Sequence, residues 1–241
     1  LLEVDSVATR SALLSHPATG LRVLPQFFAA DRAGALDRLL DLSSQITVRP
    51  LMRFLGDALM PWETARGYLL HPASRSHHHS YRGGLLIHSV DCADRVLSEP
   101  RLSDLGRQVA IVMALLHDLG KVRTLTPSGG RTPLGRNVSH EVATARLLWR
   151  PLVRLHADWP SGARLIDLIL RSRVEGDPRV CNAIIEAVRH ADRMSALQDA
   201  ERMAFDLAGR DVGWAELRIP GPRNAFYRPA EPDPGDEGGE E

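Results

Sequence analysis

Val109 to Leu116 is an unbroken apolar run, and it stops at His117-Asp118 followed by Leu119-Gly120-Lys121. A run this long with no polar face predicts a helix buried on most sides, so the rest of the chain must wrap around it. Helical periodicity elsewhere agrees. Leu36, Leu39 and Leu40 suggest an early helix, and Pro50 opens a second through Leu51, Phe54, Leu55, Ala58 and Leu59. Gly83-Gly84 leads into a helix with a buried stripe of Leu86, Val90, Ala93 and Leu97. Gly120 is placed to end the apolar helix. Ser139 is a plausible N-cap for the helix carrying Val142, Ala145, Leu148 and Trp149. Further helices follow around 165–170 and 180–197. The expected fold class is all-α, a helical bundle.

The exceptions are local. His71-Pro72 starts a polar loop through Tyr81, and Pro127-Ser128-Gly129-Gly130 implies a small hairpin or ordered loop after His117-Asp118. Residues 213–220 read as a short strand. One domain is expected over 1–228, with its motif core at about 40–210. From 229 the chain is Pro, Gly, Glu and Asp, an acidic tail expected to be disordered.

Composition excludes more than it selects. Lys plus Arg and Asp plus Glu both number 30 in 241 residues, so net charge names no partner. Removing the acidic tail leaves a mildly basic, arginine-rich body, compatible with a nucleotide or nucleic acid. No basic stripe interleaved with aromatics is visible. Cys92 and Cys181 are too few for a disulfide framework or a thiolate metal site and read as buried thiols. With no signal peptide and no membrane-spanning run, a cytoplasmic location is expected and membrane insertion is not.

Four residues carry the chemistry. Asp192 lies four after Val188 and seven after Ile185, on their apolar face. A carboxylate there is costly unless paired or bound to a metal. Arg189 and Arg193 project elsewhere on the helix, which favours a metal. His190, about 200° around from Asp192, reads as a surface residue. His117 and Asp118 end their apolar run asking for buried partners, and His88 sits one helix earlier. Imidazole and carboxylate together suit divalent Mn, Fe, Ni or Zn, with Mg also a candidate. Binding one or two such ions is the expected chemistry. His77, His78 and His79 are candidates for a second metal or a substrate phosphate, though not all three can face inward.

His88, His117-Asp118 and Asp192 resemble the H…HD…D signature of the HD superfamily of metal-dependent phosphohydrolases. The resemblance implies an all-α fold in which these four residues bind a divalent metal. Lys121 matches the lysine of the HD-x-G-K variant, implying contact with substrate phosphate, and Arg82 is a second candidate for that contact. His140 resembles the extra histidine of binuclear members. Asp118 is then expected to orient a metal-activated water.

The segment from Pro72-Ala73-Ser74 through the histidine triplet to Gly83-Gly84-Leu85-Leu86-Ile87-His88 is similar to the HD domain of MobH-type conjugative relaxases. Ala191-Asp192-Arg193-Met194-Ser195 is similar to that family's Ala-Asp-x-x-Ser segment. Asp91 stands where the family often has Glu, no tryptophan accompanies Thr132-Pro133, and a large C-terminal region is not expected. The likeness implies a bacterial phosphodiesterase acting on DNA as a relaxase or nickase in conjugation. Hydrolysis of nucleotides or cyclic dinucleotides is the alternative, and a non-hydrolytic DNA-binding accessory role the third. Other relaxases use a tyrosine nucleophile; Tyr81 is the one tyrosine inside the motif, and packing the loop is its expected role.

Overall fold

The computed structural model describes residues 33–176, 182–217 and 224–231. Cys181, residues 218–220 and the tail from 232 lie outside the described residues, so the expectations placed on them stop there. In chain order the helices are α1 (Ala33–Ser44), α2 (Arg49–Leu59), α3 (Trp62–Leu70), α4 (Gly84–Leu97), α5 (Asp104–Leu116), α6 (Lys121–Thr124), α7 (His140–Asp158), α8 (Pro160–Glu175) and α9 (Ala183–Ala208). A 3-10 turn, Leu134–Arg136, precedes α7, and an antiparallel hairpin, β1 (Gly213–Leu217) with β2 (Asn224–Arg228), follows α9. The protein is an all-α bundle with one small hairpin.

Helix α5 is the axis of the bundle. Every residue from Val109 to Leu116 is at most 1% exposed. It packs against α2, α4 and α9, while α7 pairs with α8 and lies on α2. Burying apolar surface at roughly 25 cal/mol per Å² makes this shared core the main source of stability. Ser103 and Ser139 cap α5 and α7, their hydroxyls accepting from Gly106 N and Val142 N. On α7 Leu148 is buried and Trp149, one position round, is exposed. The far end of α9 leaves the main core: Ala200, Ala204 and Phe205 pack with Ala215, Leu217 and Phe226 of the hairpin as a second small cluster.

Two local expectations need correction. Helix α5 ends at Leu116 rather than at Gly120, and residues 117–120 form tight turns leading directly into α6. Gly120 has φ −59°, ordinary right-handed backbone, so it is not there to reverse the chain. A Cβ on it would lie 2.0 Å from the His140 carbonyl oxygen; the glycine lets α7 pack directly on the His-Asp turn. Second, the strand expected over 213–220 is described only to Leu217, and its partner β2 was not foreseen. The segment after α6 is, as expected, an ordered loop, closed by a single bridge from Leu125 to Arg131. Among the described residues no helix is long and apolar enough to cross a membrane.

Candidate metal centre

Two helix ends and the middle of a third helix converge on one largely buried spot. Gly83, at φ 81°, turns the chain into α4, and Gly84 sits against the His79 carbonyl where a Cβ would be 2.0 Å away. That turn sets His88 one helical turn into α4, fully buried. His117 and Asp118 follow the last turn of α5, and Asp192 projects from the middle of α9.

The donor atoms face one another. His88 Nε2 lies 3.2 Å from His117 Nε2, 3.2 Å from Asp192 Oδ1 and 3.5 Å from Asp118 Oδ2. His117 Nε2 lies 3.3 Å from Asp118 Oδ2 and 3.6 Å from Asp192 Oδ1. A cation about 2.1 Å from each donor sets donor separations of roughly 3.0–3.4 Å in tetrahedral or octahedral geometry. The spacing therefore fits a single ion.

The hydrogen bonds behind the rings favour the same arrangement. His117 Nδ1 donates to the Ala114 carbonyl at 2.7 Å, which leaves its Nε2 lone pair facing inward. His88 Nδ1 is 3.0 Å from Ser195 Oγ, which is 3.3 Å from His79 Nε2, and His79 Nδ1 is 2.9 Å from Tyr81 Oη. If each group donates to the next in that order, His88 Nε2 is also left bare. Two imidazole nitrogens 3.2 Å apart beside two carboxylates favour a positive charge between them, either a proton or a metal cation.

Electrostatics point the same way. Burial opposes ionisation of His117, yet Asp118 and Asp192 outweigh it and raise the imidazole to about 9. Burial likewise opposes both carboxylates, and both are nonetheless held well below the usual range, Asp118 by His117 and Lys121 and Asp192 by His117 and His88. Each carboxylate turns one oxygen inward and one outward. Asp118 Oδ1 meets His140 Nε2 at 3.1 Å, and Asp192 Oδ2 meets an Arg173 guanidinium nitrogen at 3.4 Å. Lys121 Nζ bonds to the inner oxygen of Asp118.

Arg173 amends the reading of Asp192. The carboxylate does have an arginine, but from α8 rather than from its own helix. Arg189 instead bonds Glu186 and the Ser172 carbonyl. Asp192 is also partly accessible, its side chain 29% exposed.

The remaining histidines divide. His77 is exposed, with its ring beside Ser76. His78 and His79 lean on the His88 ring at centroid distances of 5.1 and 5.4 Å. His78 Nε2 is buried with no hydrogen-bond partner. His79 adopts φ 46°, the one non-glycine positive φ among the described residues. Asp199 stabilises it by accepting the His79 backbone N–H at 2.5 Å, while also binding Arg202. His140 also meets Glu141 at 3.2 Å. His190 is exposed, as expected, and so is Arg82.

Beside the centre opens a cleft of about 500 Å³ that Lys121 and His140 share with Arg75, Arg131 and Arg136. Arg82 is not in its lining. Sequence reasoning missed Arg173, Asp199 and this arginine wall, whereas Cys92 is the buried free thiol expected.

Cys92, Asp192, His88 and His117 also form a cluster with metal-binding spacing. Cys92 Sγ is, however, equidistant at 3.9 Å from both nitrogens of the His88 ring, so it lies beside the ring rather than along the Nε2 lone pair. Burial keeps its thiol protonated by pushing its pKa up. Asp118 is the better fourth donor. Two substitutions separate the alternatives by isothermal titration with Mn or Zn. Cys92→Ala leaves metal affinity within about threefold of wild type, whereas Ser195→Ala, which removes the group orienting His88, lowers it by about 10–100-fold. A loss of metal in Cys92→Ala would contradict the ligand set argued here.

Protonation sets a stability profile in chelator-treated protein. Burial lowers His78 to about 3 and His79 to about 4, so between pH 6.5 and 4 the unfolded chain binds more protons and stability falls on acidification. His117 is raised to about 9, so its contribution is complete below pH 6.5 and lost as pH climbs toward 9. Melting temperature is thus expected to peak near pH 6.5, and His78→Gln to flatten the acid limb. A profile level from pH 5 to 9 would contradict these assignments.

Comparison with family models, with curated proteins and with solved structures finds no match for this chain.

Proposed function

We propose that the chain is an HD-type metal-dependent phosphohydrolase, acting as a phosphodiesterase on DNA as the relaxase or nickase domain of a conjugative system. The observation that supports the chemistry is the convergence of two inward imidazole nitrogens and two carboxylates beside a cation-lined cleft. The choice of DNA rests on the resemblance of 72–88 and 191–195 to MobH-type relaxases.

His88, His117, Asp118 and Asp192 would hold the ion, with Mn, Fe, Ni, Mg or Zn all compatible with nitrogen and oxygen donors. A divalent cation there supplies Lewis acidity toward a phosphoryl oxygen and lowers the pKa of water. The chain's own groups supply the rest. Lys121, held against Asp118, lines the cleft and would neutralise a phosphoryl oxygen there. His140 Nε2 meets both the outer oxygen of Asp118 and the Glu141 carboxylate, and this group forms the natural place for a second ion. Ser195 and the Ala114 carbonyl fix the two imidazoles. Tyr81 is bonded to His79 and braces the loop, which favours a bracing role over that of a nucleophile.

One observation favours a second reading. A cleft of about 500 Å³ is within the range that holds small molecules, so hydrolysis of nucleotides or cyclic dinucleotides at the same centre is the alternative. Metal-loaded protein offered supercoiled plasmid, nucleotides and cyclic dinucleotides separates the two. Metal-dependent nicking supports the first reading and nucleotide turnover the second. DNA binding without any turnover overturns both in favour of an accessory role.

A further inference from the structure

The cleft carries more positive charge than a single reacting phosphate engages. Arg75, Arg131 and Arg136 line it together with Lys121, and no aspartate or glutamate does. All three arginines are exposed, and none is paired with a carboxylate among the described residues. Some arginines elsewhere on the surface carry a counter-charge: Arg38 pairs with Asp94, Arg95 with Asp91, Arg154 with Asp57 and Arg202 with Asp199. Others, such as Arg66, Arg146 and Arg150, have no carboxylate partner among the described residues; what sets the three apart is that they share one cleft. Like charges gathered on one wall without counter-charges repel, so a wall of this kind is suited to an anion.

The wall is also firmly built. Arg131 is tied into the bridge with Leu125, and Thr132 donates through Oγ1 to the Arg123 carbonyl at 2.6 Å and through its backbone N to the Thr124 carbonyl at 3.1 Å. Gly135 N donates to Thr132 Oγ1 at 3.0 Å, fixing the turn that carries Arg136. In the loop before α4, Ser74 donates to the His78 carbonyl at 2.7 Å and accepts from His77 N at 2.9 Å, which braces the loop bearing Arg75. Ligand binding therefore need not order these loops, and guanidinium forks match phosphate oxygens in pairs.

We infer that the Arg75–Arg131–Arg136 wall is a second phosphate subsite, so the cleft selects ligands bearing at least two phosphates, one at Lys121 and the next on the arginines. This rests on the proposed function only in placing the first phosphate at Lys121. Consecutive phosphates occur both in free polyphosphates and along a nucleic-acid strand, and the test distinguishes them.

Binding of inorganic phosphate, inorganic triphosphate and a short thymidine oligonucleotide to the full chain is measured by calorimetry, with chelator present to prevent turnover. The expected result is that triphosphate or the oligonucleotide binds at least about tenfold more tightly than phosphate. The Arg131→Gln/Arg136→Gln pair should remove that gain while melting temperature stays as in wild type. If the strand is the preferred ligand, each lost arginine also lowers the slope of log affinity against log salt by about 0.7. Preference for triphosphate alone assigns the subsite to free polyphosphates, and preference for the oligonucleotide assigns it to strands. Equal affinity for one phosphate and several, or a double variant that binds like wild type, overturns the inference. Hydrolysis is scored separately. Binding without turnover defeats the proposed reaction and leaves the subsite standing, and turnover without the multi-phosphate gain does the reverse.

Discussion

Asp118→Asn is expected to release the metal and lower phosphodiester hydrolysis by about 10³-fold or more. Asp118 is the carboxylate on which the centre depends most. Its inner oxygen faces both imidazoles and Lys121, and its outer oxygen meets His140. The amide keeps the volume and still accepts from Lys121, but offers no charge to the ion. Asp118→Ala should show the same functional loss with an added cost in stability. It leaves Lys121 without its carboxylate in a site only 11% exposed, and breaking a buried pair in this way costs about 3–5 kcal/mol. The two variants together separate chemistry from folding. Metal content by plasma mass spectrometry and hydrolysis of a chromogenic phosphodiester give the readouts. An Asn variant that keeps its metal and its rate would remove Asp118 from the site.

Gly120→Ala should be among the most damaging small substitutions at the described residues. The added methyl would meet the His140 carbonyl oxygen at 2.0 Å and the Thr144 backbone nitrogen at 2.5 Å. Both are backbone atoms of α7, so no rotamer change relieves the clash; the helix must move off the His-Asp turn. Thr144 Oγ1 currently accepts the Gly120 N–H at 2.8 Å and donates back to α7 or to the turn, a junction that displacement would break. Overpacking of this kind costs about 3 kcal/mol, or roughly 6–12 °C in melting temperature for a domain of this size. Differential scanning calorimetry reads it directly, and a shift under about 2 °C would show that α7 is not held as described.

The helices were legible because their apolar residues repeat at the helical period, and α5 because it has no polar face at all. Asp192 was legible for the same reason: a carboxylate on the Ile185–Val188 face must have a partner. The same reasoning applies to Arg173, four residues after Ile169 and seven after Ile166, both buried. It passed unread because a long arginine at such a position can reach solvent, so its placement alone makes no demand.

Other features depend on what tertiary packing brings together. Gly120 looks like a helix terminator, since sequence does not distinguish a glycine needed for positive φ from one needed for close approach. Asp199 looks like a surface acid on a long helix, and is buried only because the His79 loop lands on it. Arg75 comes from the loop before α4 and Arg131 and Arg136 from the loop after α6, so they line one cleft only once both loops are folded. The absence of a basic stripe in sequence therefore did not mean the absence of a basic surface.

The central claim is that His88, His117, Asp118 and Asp192 hold one divalent cation between them. Anomalous diffraction at the metal edge, from crystals of protein purified without chelator, tests it most directly. The predicted result is a peak about 2.0–2.3 Å from both Nε2 atoms and from one oxygen of each carboxylate. No peak there after soaking in Mn or Zn, or a peak bonded to Cys92 Sγ with Asp118 turned away, would contradict it.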